Sequence, residues 1–216
     1  MKHESPRRHV VELCLELSRR GYFAGTGGNL MLRIDAELVA VTPSALDYHA
    51  MTAADVCVLR LADLSRVEGE RTPSVESSLH ARVLRAKPEM GCSIHTHQPV
   101  ASACALIGRT LEVPVRLRAS LGSHVPVVGY APSGSGWLAS RLHRTLEPGI
   151  NAYLMRNHGI LCCGRDSAAA MQAVDDLESV ARTLLSERIS AQASAHATTK
   201  SALLRVNDAL LGRAPL

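Results

Sequence analysis

The 216-residue chain predicts a mixed α/β fold, and two observations carry that prediction. Short apolar runs bounded by glycine, proline, asparagine or aspartate alternate with longer segments whose apolar residues recur at helical spacing. Several connections between the short runs are hairpin-like, which leaves both α+β and a layered α/β arrangement open. The length suits one domain over residues 1–216 with enough chain to bury a sizeable core.

The elements follow in order. Ser5-Pro6 reads as a cap and a first-turn proline, and Val10, Val11, Cys14, Leu15 and Leu17 continue at helical spacing until Gly21 ends the helix. Gly25 to Asn29 is a glycine-rich turn, and residues 30–34 and 37–41 read as a hairpin around Asp35-Ala36. Thr42-Pro43-Ser44 leaves the second strand. Residues 52–55 suggest a short capped helical turn and 56–61 a further strand. Residues 74–87 read as a helix with a hydroxyl near its cap and Glu76 in its first turn, stopped by Pro88. Glu76 and His80, four apart, share a face of it.

Gly91 to His97 is a short buried strand ending in polar residues, followed by a helix over 99–106 closed by Gly108. Residues 125–130 read as a strand and 137–146 as a helix. Two strands, 152–155 and 160–163, flank a turn that carries His158. Asp166-Ser167 caps a long helix to about Arg188. The tail, 190–216, is Ala/Ser-rich and then amphipathic around Leu203, Leu204, Val206, Leu210 and Leu211, suited to packing on a neighbouring subunit or to partial disorder.

Composition narrows the function. A net charge of +4 with scattered Lys and Arg, one Phe and one Trp leaves little platform for stacking bases, which excludes nucleic acid as a partner. No apolar run reaches membrane-spanning length, and the first residues lack the apolar segment of a signal peptide. Six scattered cysteines, most in apolar runs and none in CxxC spacing, point to a reduced, cytoplasmic protein.

The chemistry centres on histidine. His95 and His97 are two apart, so on a strand they point to one face and can reach one metal ion. His158, at the end of a second apolar run and before a glycine, is a natural third ligand. Three imidazoles with an open fourth position are the arrangement of a catalytic zinc site. An HxH pair alone is weak, because most histidines are solvated or satisfied in a core. Glu76 shifts that balance.

Five motifs stand in order over about residues 7–190: Gly25-Thr26-Gly27-Gly28-Asn29, Thr42-Pro43-Ser44, Pro73-Ser74-Val75-Glu76 with His80, His95-Thr96-His97, and Asn157-His158-Gly159. Together they resemble the class II aldolase/adducin family. The resemblance implies a three-layer α/β/α sandwich with a largely antiparallel central sheet, assembled as a homotetramer with active sites between subunits. It implies a divalent metal on His95, His97 and His158, with Glu76 ligating it and moving aside as general acid/base when substrate arrives. Zinc suits nitrogen ligands best, with manganese, iron and cobalt as further options. Thr26, Gly28, Asn29, Ser44 and Ser74 then form a phosphate pocket, the glycine-rich turn offering backbone N–H groups.

The implied reaction is retro-aldol cleavage of a small sugar phosphate through a metal-stabilised enediolate. Epimerases of the family place aspartate where Glu76 stands, which favours aldol cleavage. The chain also departs from the family. Ala45 replaces a frequent glycine and Val75 a serine. Tyrosines that serve as proton donors are missing from 113–121 and from the stretch after Tyr153. Arg116 and Arg118 stand in that segment, either facing a carboxylate or other anion or solvated on an edge strand. They motivate one alternative, a decarboxylase or other lyase acting on a carboxylated hydroxy acid. A second alternative is a non-catalytic scaffold of the adducin head type, which predicts lost ligands, whereas all three histidines and Glu76 are present. A serine hydrolase lacks its GxSxG motif.

Overall fold

An eight-stranded sheet forms the middle layer of the molecule in a computed structural model that describes residues 2–23 and 25–213. In chain order the elements begin with α1 (Glu4–Arg19), β1 (Asn29–Arg33), β2 (Leu38–Val41), β3 (Cys57–Arg60), β4 (Arg66–Glu68), α2 (Ser77–Ala86) and β5 (Cys92–Thr96). They continue with α3 (Pro99–Ile107), β6 (Leu111–Glu112), a 3₁₀ turn (Val115–Leu117), α4 (Arg118–Leu121), β7 (His124–Val125) and β8 (Val127–Val128). The chain then forms α5 (Gly136–Thr145), β9 (Ala152–Met155), β10 (Gly159–Gly164), α6 (Ser167–Ala195) and α7 (Lys200–Leu210). The sheet order is β4-β3-β2-β1-β5-β10-β9-β8. Every neighbouring pair in it is antiparallel except β8 with β9.

Strand alternation sorts the core into two layers. On β5, Cys92 and Ile94 join Leu30, Leu32, Leu154 and Ile160 against α1, α3 and α6. Met31, Leu59, Tyr153 and Leu161 point the other way, against α2 and α5. The result is the three-layer α/β/α sandwich with a largely antiparallel sheet. Leu79, Val83 and Leu84 of α2 are buried, and each contributes on the order of 1.5–3 kcal/mol by leaving water.

Several local expectations are corrected. α1 begins at Glu4 after His3, so Ser5 lies inside the helix rather than capping it. Pro6 is still tolerated, because a first-turn amide has no intrahelical acceptor. α2 begins three residues later than its hydroxyl-rich approach suggested, which makes Glu76 the residue before the helix, with φ −98° and ψ 11°. The expected strand over 125–130 is split at Pro126: β7 pairs with β6 in a separate small sheet, and β8 joins the main one. Arg116 and Arg118 lie in helical turns and not on an edge strand, so spacing of two does not put them on one face. The tail folds back on the long helix, with Asn207 Nδ2 donating to Ser190 Oγ at 3.1 Å and Arg182 donating to the Leu210 carbonyl.

All six cysteines are free and buried. Among the described residues, no helix is long and apolar enough to cross a membrane.

Candidate active site

The register of the sheet sets the site. Asn29 pairs with His95 across β1 and β5, and Leu161 of β10 pairs with His95 on its other side. Because Ile94 is committed to the α1/α3/α6 layer, Ser93 and His95 must face α2. β5 ends at Thr96, so His97 leaves the sheet and is exposed. Its turn is anchored on both sides of the backbone. Thr96 Oγ1 donates to Gln98 Oε1 at 2.7 Å, and Gln98 Nε2 donates to the Val174 carbonyl of α6 at 3.1 Å.

His158 is delivered by the β9–β10 turn. Asn157 sits there at φ 55°, a left-handed conformation that asparagine tolerates better than most residues. The following glycine is required by space. A Cβ on Gly159 would lie 2.5 Å from the Thr96 carbonyl oxygen and 2.6 Å from His97 Cδ2. Only a bare α-carbon lets the turn come close enough for His158 to meet the other two rings. The ring centroids of His95 and His97 are 4.6 Å apart, those of His95 and His158 4.6 Å, and those of His97 and His158 5.3 Å. One ligand nitrogen from each ring lies within 4.8 Å of the other two.

The hydrogen-bonding pattern of these residues fits a cation. His95 Nδ1 lies 2.7 Å from the Ile160 carbonyl, which only accepts, so Nδ1 carries the hydrogen and Nε2 presents a lone pair. That Nε2 is buried without a hydrogen-bond partner and stands 3.4 Å from Oε2 of Glu76, itself an acceptor. His158 Nε2 lies 3.3 Å from Oε1 of the same carboxylate. Lone pairs from imidazoles and a carboxylate converging on one buried spot suit a divalent metal.

Glu76 itself is 4% exposed. Burial alone would raise its pKa. The neighbouring His95 ring, the hydrogen bond from Asn29 Nδ2 to Oε2 at 2.8 Å, the His158 ring and the hydrogen bond from Ser133 Oγ to Oε1 at 2.8 Å together outweigh that penalty and hold the carboxyl well below the usual carboxylate range. Burial pushes His95 down to about 3, against the opposing pull of Glu76, so its ring is neutral and ready to ligate.

Two of the segments expected to hold phosphate are paired. Pro43 and Pro73 form an antiparallel bridge between two Thr-Pro-Ser segments, with Ser44 N donating to the Thr72 carbonyl at 2.8 Å and Ser74 N donating to the Thr42 carbonyl at 2.9 Å. In this antiparallel register Ser44 stands opposite Thr72 and Ser74 opposite Thr42, one at each end of the bridge, and Ser74 Oγ receives the Glu76 amide at 3.2 Å. Ala45, at the position of the missing glycine, adopts φ 53°. Thr26 is exposed on the turn before β1. Gly28 is held from below by Phe23, into which a Cβ would run at 2.3 Å, and by the Tyr48 hydroxyl, which donates to its carbonyl. Asn29 differs from expectation, since one face of its amide serves Glu76 directly. Val75 is 62% exposed and packs beside Gly134.

Arg116 and Arg118 are exposed; Arg118 Nε donates to the Val113 carbonyl at 3.1 Å. Among the described residues, no hydrogen bond or ion pair joins either arginine to the cluster. Ser133, Tyr48 and Phe23 were not singled out by the sequence. For Ser133 the available signal was a Pro-Ser-Gly-Ser-Gly loop just before a helix, which by itself reads only as a connection.

Comparison with known proteins follows the same lines. The family model for the class II aldolase and adducin N-terminal domain matches residues 8–185. An L-fuculose phosphate aldolase of Methanococcus maripaludis is 28% identical over 172 residues, covering 80% of this chain and 92% of that protein. A methylthioribulose-1-phosphate dehydratase of Serratia proteamaculans is 28% identical over 202 residues, covering 88% of this chain and 98% of its own. A solved L-fuculose 1-phosphate aldolase superimposes with a TM-score of 0.79 at 29% identity, over 85% of this chain and 86% of that one.

Proposed function

The chain belongs to the class II aldolase and adducin family, and from that premise we propose that it is a divalent-metal-dependent lyase that cleaves a small sugar phosphate by retro-aldol chemistry. The observation that carries the reading is the meeting of one buried carboxylate, Glu76, with imidazoles from β5, the turn after it and the β9–β10 turn. His95, His97 and His158 would hold the ion, zinc before manganese, iron or cobalt, with Glu76 as a further ligand. Bound there, a divalent cation supplies the Lewis acidity that steadies negative charge on the substrate's oxygens as the bond breaks.

The chain's own residues do the rest. Glu76, ionised between Asn29 and Ser133, accepts the proton of the hydroxyl that becomes the aldehyde. It returns that proton to the carbon released by cleavage, so one carboxylate closes the proton balance without the family's tyrosines. Thr26, Gly28, Asn29, Ser44 and Ser74 receive the phosphate, and Val75 makes that pocket poorer by one hydroxyl. Arg116 and Arg118 are exposed and, among the described residues, make no hydrogen bond or ion pair to Glu76 or the histidines, so this reading gives them no part. The same reading takes the working form to be a cytoplasmic homotetramer with sites between subunits, a state that sedimentation velocity would test.

A second reading, loss of water from the same substrate class, is favoured by one observation. Among the described residues, no tyrosine hydroxyl bonds to Glu76 or the histidines, and Tyr48 and Tyr153 donate to backbone carbonyls instead. Product analysis separates the two. Zinc-loaded protein incubated with a panel of ketose 1-phosphates should release an aldehyde and a three-carbon ketone phosphate. A dehydrated product with no aldehyde would select the second reading, and no metal-dependent turnover of any member would refute both. Equal turnover of a sugar and its phosphate ester would remove the phosphate assignment.

A further inference from the structure

We propose that His80 is a positioning residue, which fixes the amide of Asn29 so that Glu76 is held toward the three imidazoles. The inference rests on Glu76 belonging to the metal site. The sequence placed His80 only on the face of a helix shared with Glu76. No hydrogen bond joins their side chains; the connection runs through a third residue.

Three buried hydrogen bonds link β5, α2, β1 and the residue before α2. Ser93 Oγ is 2.8 Å from His80 Nδ1, His80 Nε2 is 2.6 Å from Asn29 Oδ1, and Asn29 Nδ2 is 2.8 Å from Glu76 Oε2. His80 and Ser93 are fully buried, Asn29 is 8% exposed and Glu76 4%. Water is therefore not available to rescue a mismatched member.

The chemistry allows one arrangement. An ionised carboxylate only accepts, so Asn29 must turn its NH₂ to Glu76 and its carbonyl to His80. That carbonyl needs a donor, which puts the ring hydrogen of His80 on Nε2. Nδ1 is left with a lone pair, and the Ser93 hydroxyl donates into it. A flipped Asn29 would set its carbonyl oxygen against a carboxylate oxygen and its NH₂ against the Nε2 hydrogen. Glu76 thus sets which way Asn29 points, and His80, donating to the Asn29 carbonyl, holds the amide in place and with it Oε2 of Glu76. Burial holds His80 down at about 4, so the neutral ring required by this arrangement is the one present at neutral pH.

The test measures zinc affinity of the full-length, metal-free protein by calorimetric titration. The set comprises wild type, His80→Gln, His80→Leu, Asn29→Ala and the double variant His80→Leu/Asn29→Ala. His80→Leu should weaken zinc by about 10-fold, the scale on which groups that orient ligands act. His80→Gln, whose amide can replace the Nε2 donor, should stay within about 3-fold. In the Asn29→Ala background, His80→Leu should add no further loss, because its effect passes through Asn29. Additive losses, or equal loss in Gln and Leu, would overturn the proposal and leave His80 a core residue.

Should His80→Leu fail to fold, Ser93→Ala removes the partner that holds the His80 ring at Nδ1. It should weaken zinc in the same direction by about 3-fold, and unchanged affinity overturns the proposal. Crystal structures of the metal-free Gln and Leu variants decide the matter without zinc. The Asn29–Glu76 hydrogen bond should persist in the first and be lost in the second. Wild type that binds no zinc would refute the metal reading, while the structural comparison would still judge His80.

Discussion

Glu178 offers a test of how the exposed His97 is kept in place. Its carboxylate, on α6 and 5% exposed, accepts from the backbone amides of Val100 at 3.0 Å and Ala101 at 2.9 Å. These are first-turn amides of α3, which have no acceptor within the helix, and α3 begins two residues after His97. Glu178→Ala removes both acceptors. A hydrogen bond to a charged group contributes about 1.5–3 kcal/mol. The lower end applies, because the truncation opens room for water, so the two together are worth about 3 kcal/mol. For a chain of this length that corresponds to a fall in Tm of roughly 6–12 °C in the metal-free protein. Glu178→Gln keeps one acceptor oxygen and should lose about half as much. Urea denaturation followed by circular dichroism measures the difference. Loosening α3 also loosens the Thr96–Gln98 turn, so zinc affinity should fall by about 10-fold. A stability loss below about 1 kcal/mol in the alanine variant would refute the claim that Glu178 pins this turn.

Three further outcomes are expected. Glu76→Gln keeps the size and removes the titrating group, so turnover should fall about 10²-fold or more while the melting transition survives; unchanged turnover would reduce Glu76 to a helix-entry residue. Ala45→Gly relieves a left-handed alanine at φ 53° and should raise stability by about 1 kcal/mol, or roughly 2–4 °C in Tm, a shift that differential scanning calorimetry resolves. The pKa of His80 is lowered by burial to about 4, so as pH falls below about 6.5 the unfolded chain takes up this proton first. Stability should therefore decline between about pH 6.5 and pH 4, by about 3 kcal/mol from this group alone, and His80→Gln should flatten that part of the curve.

Most of the fold was legible because its signals are local. The hairpin around Asp35 follows from the aspartate carboxylate accepting from the amides of Glu37 and Leu38, and Gly108 closes α3 at φ 70°. Asp166 caps α6 by accepting from Ala169. The split at Pro126 was not legible, because a run of valines around one proline looks the same whether its halves share a sheet or not. Of the site, the three histidines and Glu76 were visible through spacing and motif, and the structure brings them together. Ser133 was not visible: its link to Glu76 spans 57 positions, and nothing in its own loop encodes that partner. The orientation of the arginines depended on a strand that the chain does not form, since Pro114 turns into a 3₁₀ segment.

The central claim is that His95, His97 and His158 hold one divalent cation beside Glu76. Metal content answers it most directly: full-length protein is equilibrated with zinc, freed of excess by dialysis and measured by inductively coupled plasma mass spectrometry. About one ion per chain is expected for wild type, because three converging imidazoles form a preorganised site, and close to none for the His95→Ala/His97→Ala/His158→Ala variant. Equal metal content in the two proteins would contradict the account.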